Sequence, residues 1–199
     1  MMTADTLLRV WGPTVALLGG LALTNASSVE AQTSQKVSIQ VSGLGQSFFG
    51  SDFEGINAGL GAEAQLRYNH SSFSIGGGVQ YTTHSSSVEG LSVDAIGAFL
   101  EPRYVVDMGS DKAAPYISGR FAITDFEFDD DTQGNLGTES GITVNGGGGL
   151  LYRMGPRLNL DFGATFGFQR IGIIGESLTG SNQGTNIVFR AGVAYGLGG

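Results

Sequence analysis

The chain has 199 residues, of which 34 are glycine, none is cysteine and 14% are charged, with a formal net charge of −8. That length suits one domain. The acidic balance offers no basic footprint for nucleic acid, and the lack of cysteine excludes a disulfide framework, a thiolate metal site and a cysteine nucleophile.

At the N-terminus, Val15 to Leu23 is a short apolar core, with Arg9 ahead of it and small or modest side chains at Val29-Glu30-Ala31. This pattern predicts a secretory signal over residues 1–31 with cleavage after Ala31, leaving 32–199 as the folded domain. The core is too short for a membrane helix, and no later stretch is long enough for one.

From there the chain alternates. Ile56-Asn57-Ala58-Gly59-Leu60-Gly61-Ala62-Glu63-Ala64-Gln65-Leu66-Arg67-Tyr68 is apolar at every even position and polar or glycine at every odd one. Successive side chains of a strand point to opposite faces, so the segment has one oily and one polar face. The same period predicts eight strands: 36–47, 56–68, 73–84, 93–106, 115–126, 142–154, 158–169 and 186–197. The connections alternate in length. Residues 69–72, 107–114 and 155–157 are the shorter ones; 48–55, 85–92, 127–141 and 171–185 are the longer ones. The pattern predicts an all-β fold, an eight-stranded antiparallel up-and-down transmembrane β-barrel with its short turns in the periplasm.

A soluble barrel of the lipocalin kind also alternates, with its apolar face inside. Two features favour the membrane arrangement. The polar face is rich in glycine (Gly59, Gly61, Gly76, Gly78, Gly147, Gly149, Gly163, Gly167, Gly192), which suits a narrow interior better than a water-facing surface. Tyr68, Tyr104, Tyr152 and Tyr195 close the second, fourth, sixth and eighth strands at one height on the apolar face, as half of an aromatic girdle does.

At Leu100-Glu101-Pro102-Arg103-Tyr104 and Ala114-Pro115-Tyr116-Ile117-Ser118-Gly119-Arg120 the chain resembles the small outer-membrane β-barrel family, which includes the OmpA-type transmembrane domain, OmpX-type and opacity-type barrels. The resemblance spans the mature chain. It implies a bacterial outer-membrane location, a monomer, insertion by the barrel-assembly machinery, and contact with outer-membrane lipids and lipopolysaccharide. With no further domain after the last strand, a cell-wall tether is not expected. The chain ends Tyr195-Gly196-Leu197-Gly198-Gly199 rather than on the family's terminal aromatic, which shifts the expected assembly signal to Phe189, Tyr195 and Leu197.

The polar face carries Glu63, Arg67, Glu101, Arg103, Arg120, Arg153, Asp161 and Arg190, which are expected to point into the lumen as a paired polar network. His70-Ser71-Ser72 reads as turn chemistry. His84-Ser85-Ser86, with Glu89 nearby, is similar to the site of lipid A deacylases but lacks their Asn-Ala continuation. Asp129-Asp130-Asp131 is a weak metal candidate, because the terminal glutamate of a calcium loop is out of step. No cofactor and no metal is expected. The leading expectation is a non-enzymatic surface or structural protein acting through its external loops. The alternatives are a narrow ion or solute channel and, behind it, a lipid A-modifying enzyme.

Overall fold

The structure is a computed structural model that describes residues 35–174 and 182–198; the expected signal segment lies outside the described residues. Eight strands run in chain order: β1 (Val37–Phe49), β2 (Gly59–His70), β3 (Phe73–Ser85), β4 (Leu91–Val105), β5 (Ala113–Asp130), β6 (Gly134–Arg153), β7 (Leu158–Ile174) and β8 (Asn182–Leu197). Each pairs antiparallel with the next, and β1 closes on β8, so the sheet is a complete barrel without free edges.

The period-two pattern sets the faces. Along β2, Glu63, Gln65, Arg67 and Asn69 are buried in the lumen, while Leu60, Leu66 and Tyr68 are exposed on the outside. Outward apolar side chains recur on every strand, among them Val41, Val79, Leu100, Phe121, Val144, Phe162 and Phe189. An apolar exterior around a polar, filled interior is the inverse of a soluble barrel and is the arrangement of a membrane-spanning one.

The register explains the tyrosine collar. Tyr68 pairs with Val37, Tyr104 with Phe73, Tyr152 with Ala113 and Tyr195 with Leu158, each opposite the first or second residue of a neighbouring strand. All four stand outward at the short-turn end. No helix among the described residues is long and apolar enough to cross a membrane.

The long-loop end differs from the expectation. Most of 127–141, expected as a loop, is strand: β5 and β6 continue as a paired ribbon to Asp130 and Gly134, with register shifts at Phe128/Asp129 and Ser140/Gly141. Likewise β7 runs on to Ile174 and β8 starts at Asn182, which shortens the 171–185 connection; residues 175–181 lie outside the described residues. Above the bilayer both faces of a ribbon meet water, so the apolar period that marks a spanning strand fades although the ladder continues. At the other margin, β2 starts at Gly59 rather than Ile56.

Placing arginine at Phe162 or Leu100, both outward near mid-barrel, puts a charge in hydrocarbon and is expected to cost roughly 2–4 kcal/mol. Urea midpoints in lipid vesicles check this; unchanged midpoints would contradict the lipid-facing assignment.

Candidate functional site

The lumen is organised around one carboxylate. Glu101, on β4, is fully buried, and four guanidinium groups converge on it. Arg190 grips both oxygens, Nη1 to Oε2 at 2.6 Å and Nη2 to Oε1 at 3.1 Å. Arg103 Nε donates to Oε1 at 2.5 Å, Arg67 Nη2 to the same oxygen at 3.2 Å, and Arg120 Nη1 to Oε2 at 3.1 Å. Two further carboxylates share the load. Glu63 Oε2 takes Arg120 Nη2 at 2.7 Å, and Asp161 Oδ2 lies 2.8 Å from Arg103 Nη2. Tyr116 donates its hydroxyl to Asp161 Oδ1 at 2.7 Å and accepts from Arg190 Nη2 at 2.9 Å.

The guanidiniums also have neutral partners. Gln80 and Gln65 accept from Arg120 and Arg67, and Gln40 donates to Asp161 at 2.7 Å. Arg103 sits 4.4 Å over the Tyr116 ring and Arg120 3.7 Å over the Phe99 ring. Cations dispersed over carboxylates, amides and ring faces meet the conditions under which buried charge is tolerable. The glycines supply the room. A Cβ at Gly76 would collide with the Arg67 guanidinium, and at Gly149 or Gly163 with the Tyr116 hydroxyl.

Apolar clusters lie toward either end of the network. Toward the short turns, Val105, Ala114, Tyr116 and Leu151 pack together inside the barrel. At the opposite mouth, Phe48, Phe53, Val93, Ala95, Phe126 and Ile171 form a second cluster, with Ile56 and Phe128 against it. Phe53 comes from a single 3-10 turn, Ser51–Phe53, in the first long connection. Its ring stacks on Phe48 at 5.3 Å, and Phe126 meets Phe48 edge-on at 6.2 Å. The connection is tied down on two sides: Gln183 N donates to Asp52, and Asn57 N donates to Ser85 O. Gly184 is needed there, because a Cβ would strike the Phe53 ring.

Of the residues expected in the lumen, Glu63, Arg67, Glu101, Arg103, Arg120, Asp161 and Arg190 come together in this network, whereas Arg153 lies apart at the short-turn end of β6. His84 points inward and is buried. Its Nδ1 is 3.1 Å from Asn57 O and its Nε2 3.1 Å from Thr82 Oγ1, with Phe48 at 4.8 Å between ring centroids. Ser85 faces the other side of the strand and accepts from Asn57 Nδ2, so alternation separates the imidazole from the adjacent hydroxyl. His70 is exposed beside Tyr68 at the short-turn end.

Within the Asp129-Asp130-Asp131 candidate, Asp130 takes part in a turn. Asp130 accepts from Thr132 N, Thr132 Oγ1 and Gln133 N, and these donors hold its carboxyl below the usual carboxylate range. Among the described residues, no group of three or more acidic, histidine or cysteine side chains is placed to hold a metal.

The sequence reading missed the apolar caps and Tyr116. A signal exists: the apolar doublets Phe48-Phe49, Val105-Val106 and Leu150-Leu151 each put one side chain on each face, at strand ends.

No family model and no curated protein matches the sequence. Solved structures do match. Neisserial surface protein A is 16% identical with a TM-score of 0.64, over 81% of this chain and 97% of its own. Ail, the attachment invasion locus protein of Yersinia pestis, is 12% identical with a TM-score of 0.51 over the same shares. Ail in complex with the heparin analogue sucrose octasulfate is 13% identical at a TM-score of 0.51, over 80% of this chain and 96% of that one. At these identities the likeness carries the fold, and with the apolar exterior described above it makes this chain a small eight-stranded outer-membrane-type β-barrel, as its sequence resemblance implied.

Proposed function

We propose that the protein is an integral outer-membrane barrel with a closed lumen, acting from its external end as a structural or surface-interaction protein rather than as a channel or an enzyme. One observation carries this reading: the lumen is filled by interlocking side chains, the Glu101-centred ionic layer with buried polar residues above and below it and an apolar cluster toward each end, the outer one including Phe53. Eight strands leave an interior only wide enough for side chains, and here those side chains interlock. The enzyme reading loses its best candidate, since His84 is bound to Thr82 and to the Asn57 carbonyl. We place the protein as a monomer among lipopolysaccharide and other outer-membrane lipids, inserted by the barrel-assembly machinery.

The external end has a distinct chemistry. The connections at 50–58, 86–90 and 131–133 contain no lysine or arginine. They and the flanking strand ends carry Asp52, Glu54, Glu89, Asp94, Asp125, Glu127, Asp129, Asp130 and Asp131. Such a surface favours cationic partners and repels polyanions.

Three outcomes are expected. Refolded monomer in planar bilayers shows no steady conductance; a large steady conductance would overturn the closed-lumen reading. Glu101→Gln leaves four buried guanidiniums facing two carboxylates and lowers stability in vesicles by roughly 3–5 kcal/mol, read as a urea midpoint shift. Vesicles bearing the protein are not retained on a heparin matrix at low salt but adhere to a polylysine surface more than protein-free vesicles do. Retention on heparin would contradict the acidic-surface reading.

A further inference from the structure

Arg170 stands alone as a basic residue at the long-loop end of the molecule. The other basic residues after Ala31 are inside the barrel or at the short-turn end: Arg67, Arg103, Arg120 and Arg190 in the network, and Lys36, Lys112, Arg153 and Arg157 near the short turns. On β7 the odd positions point inward, so Arg170 lies on the outer surface, between Ile142 of β6 and Gln183 of β8.

Its height is informative. Leu158 pairs with Tyr195 of the collar that marks the short-turn interface. From Leu158 to Arg170 a strand tilted by about 40° rises roughly 30 Å. The apolar band of such barrels is about 25 Å tall. Arg170 therefore sits just above the hydrocarbon, at the level of lipid headgroups, and Phe168, 71% exposed, sits at its upper edge.

Below Arg170 the surface is hollowed. A shallow groove of about 530 Å³ is lined by Ile142, Val144, Phe168, Arg170, Gln183 and Thr185. A second groove, of about 670 Å³, lies lower on the same side, floored by Gly43, Gly45 and Ala191 and walled by Leu150, Phe162 and Phe189. The register places these residues in successive outward rows of β6, β7, β8 and β1.

We propose that this face seats a phosphorylated lipid of the outer leaflet, its phosphate on Arg170 and its acyl chains along the two grooves. The inference rests on the membrane-barrel reading above and adds a site to it. A guanidinium over an apolar trough matches an anionic headgroup over hydrocarbon, and it pairs with phosphate oxygens in bidentate fashion. Charge complementarity selects this face, because the outward residues at the same height on β4 and β5 are Asp94, Asp125 and Glu127, which repel a phosphate.

The test uses the whole folded barrel in phosphatidylcholine vesicles doped with diphosphorylated lipid A or with its dephosphorylated form. The gel shift between heated and unheated samples reports the barrel reading. Native mass spectrometry of gently extracted protein reports the site. Wild type is expected to retain one diphosphorylated lipid A and little of the dephosphorylated form. Arg170→Gln is expected to lower retention roughly tenfold or more, Phe168→Ala to lower it less, and Arg157→Gln, at the opposite end, to leave it unchanged. A barrel with an intact gel shift that retains no lipid A, retains both forms equally, or retains as much with Arg170→Gln overturns the site and leaves the barrel reading standing.

Discussion

The constraint on which the rest depends is the width of an eight-stranded barrel. Its inward side chains meet one another across the axis, so the lumen is a core and must be filled and satisfied like one. Here the filling is ionic. The Glu101 carboxylate is shared by Arg67, Arg103, Arg120 and Arg190, which reach it from β2, β4, β5 and β8. β6 contributes space instead of charge, through Gly147 and Gly149. Buried ion networks of this kind are weak as a source of raw stability. They are strong as a means of fixing arrangement. Shifting β2, β4, β5 or β8 by one residue turns that strand over and puts Arg67, Arg103, Arg120 or Arg190 into hydrocarbon, at roughly 2–4 kcal/mol each. A polar inward face also lowers the hydrophobicity of each segment, which limits aggregation before the barrel closes.

The apolar caps give that network its setting. Charges in a low-dielectric, water-excluded layer interact more strongly than charges at a wet surface. Val105, Ala114 and Leu151 are buried together on one side of the network, and Phe48, Phe53 and Phe126 on the other. The first long connection thereby becomes part of the core. Its Phe53 fills the mouth, and the segment is held from β3, where Ser85 O accepts from Asn57 N, and from β8, where Gln183 N donates to the Asp52 carboxylate.

The legible part of the sequence was what period two encodes. Strand number, closure, the face each residue occupies and the height of Tyr68, Tyr104, Tyr152 and Tyr195 all follow from alternation and from alternating connection lengths. The inward face of Glu63, Arg67, Glu101 and Arg103 was also legible, because they share the parity of the glycine-rich face, but parity neither singled out Tyr116 nor set Arg153 apart. What was hidden is what lies outside that code. The tip of the 127–141 ribbon pairs without an apolar period because both of its faces are open there, while Phe128 and Glu139 at its base stay on the inner side. Phe53 enters the lumen from a loop, where parity says nothing. Which guanidinium meets which carboxylate depends on distances across the barrel, and the chain records only neighbours along it.

The same reasoning makes the two sides of the barrel chemically different. Asp94 and Glu127 are directly paired on the outer face, with Asp125 two residues along β5. Like charges opposite each other on a sheet are destabilising, and the structure offsets this with donors from side chains: Tyr81 to Asp94, Asn135 to Glu127 and Ser140 to Asp125. Hydrogen bonds satisfy these carboxylates without neutralising them, so the β4–β5 side remains electronegative at headgroup height. Arg170 marks the other side. A barrel free to spin in a fluid leaflet would gain nothing from such polarity unless its neighbours were themselves charged. In a leaflet of phosphorylated lipid, the polarity sorts direct lipid contact to the β6–β8 side.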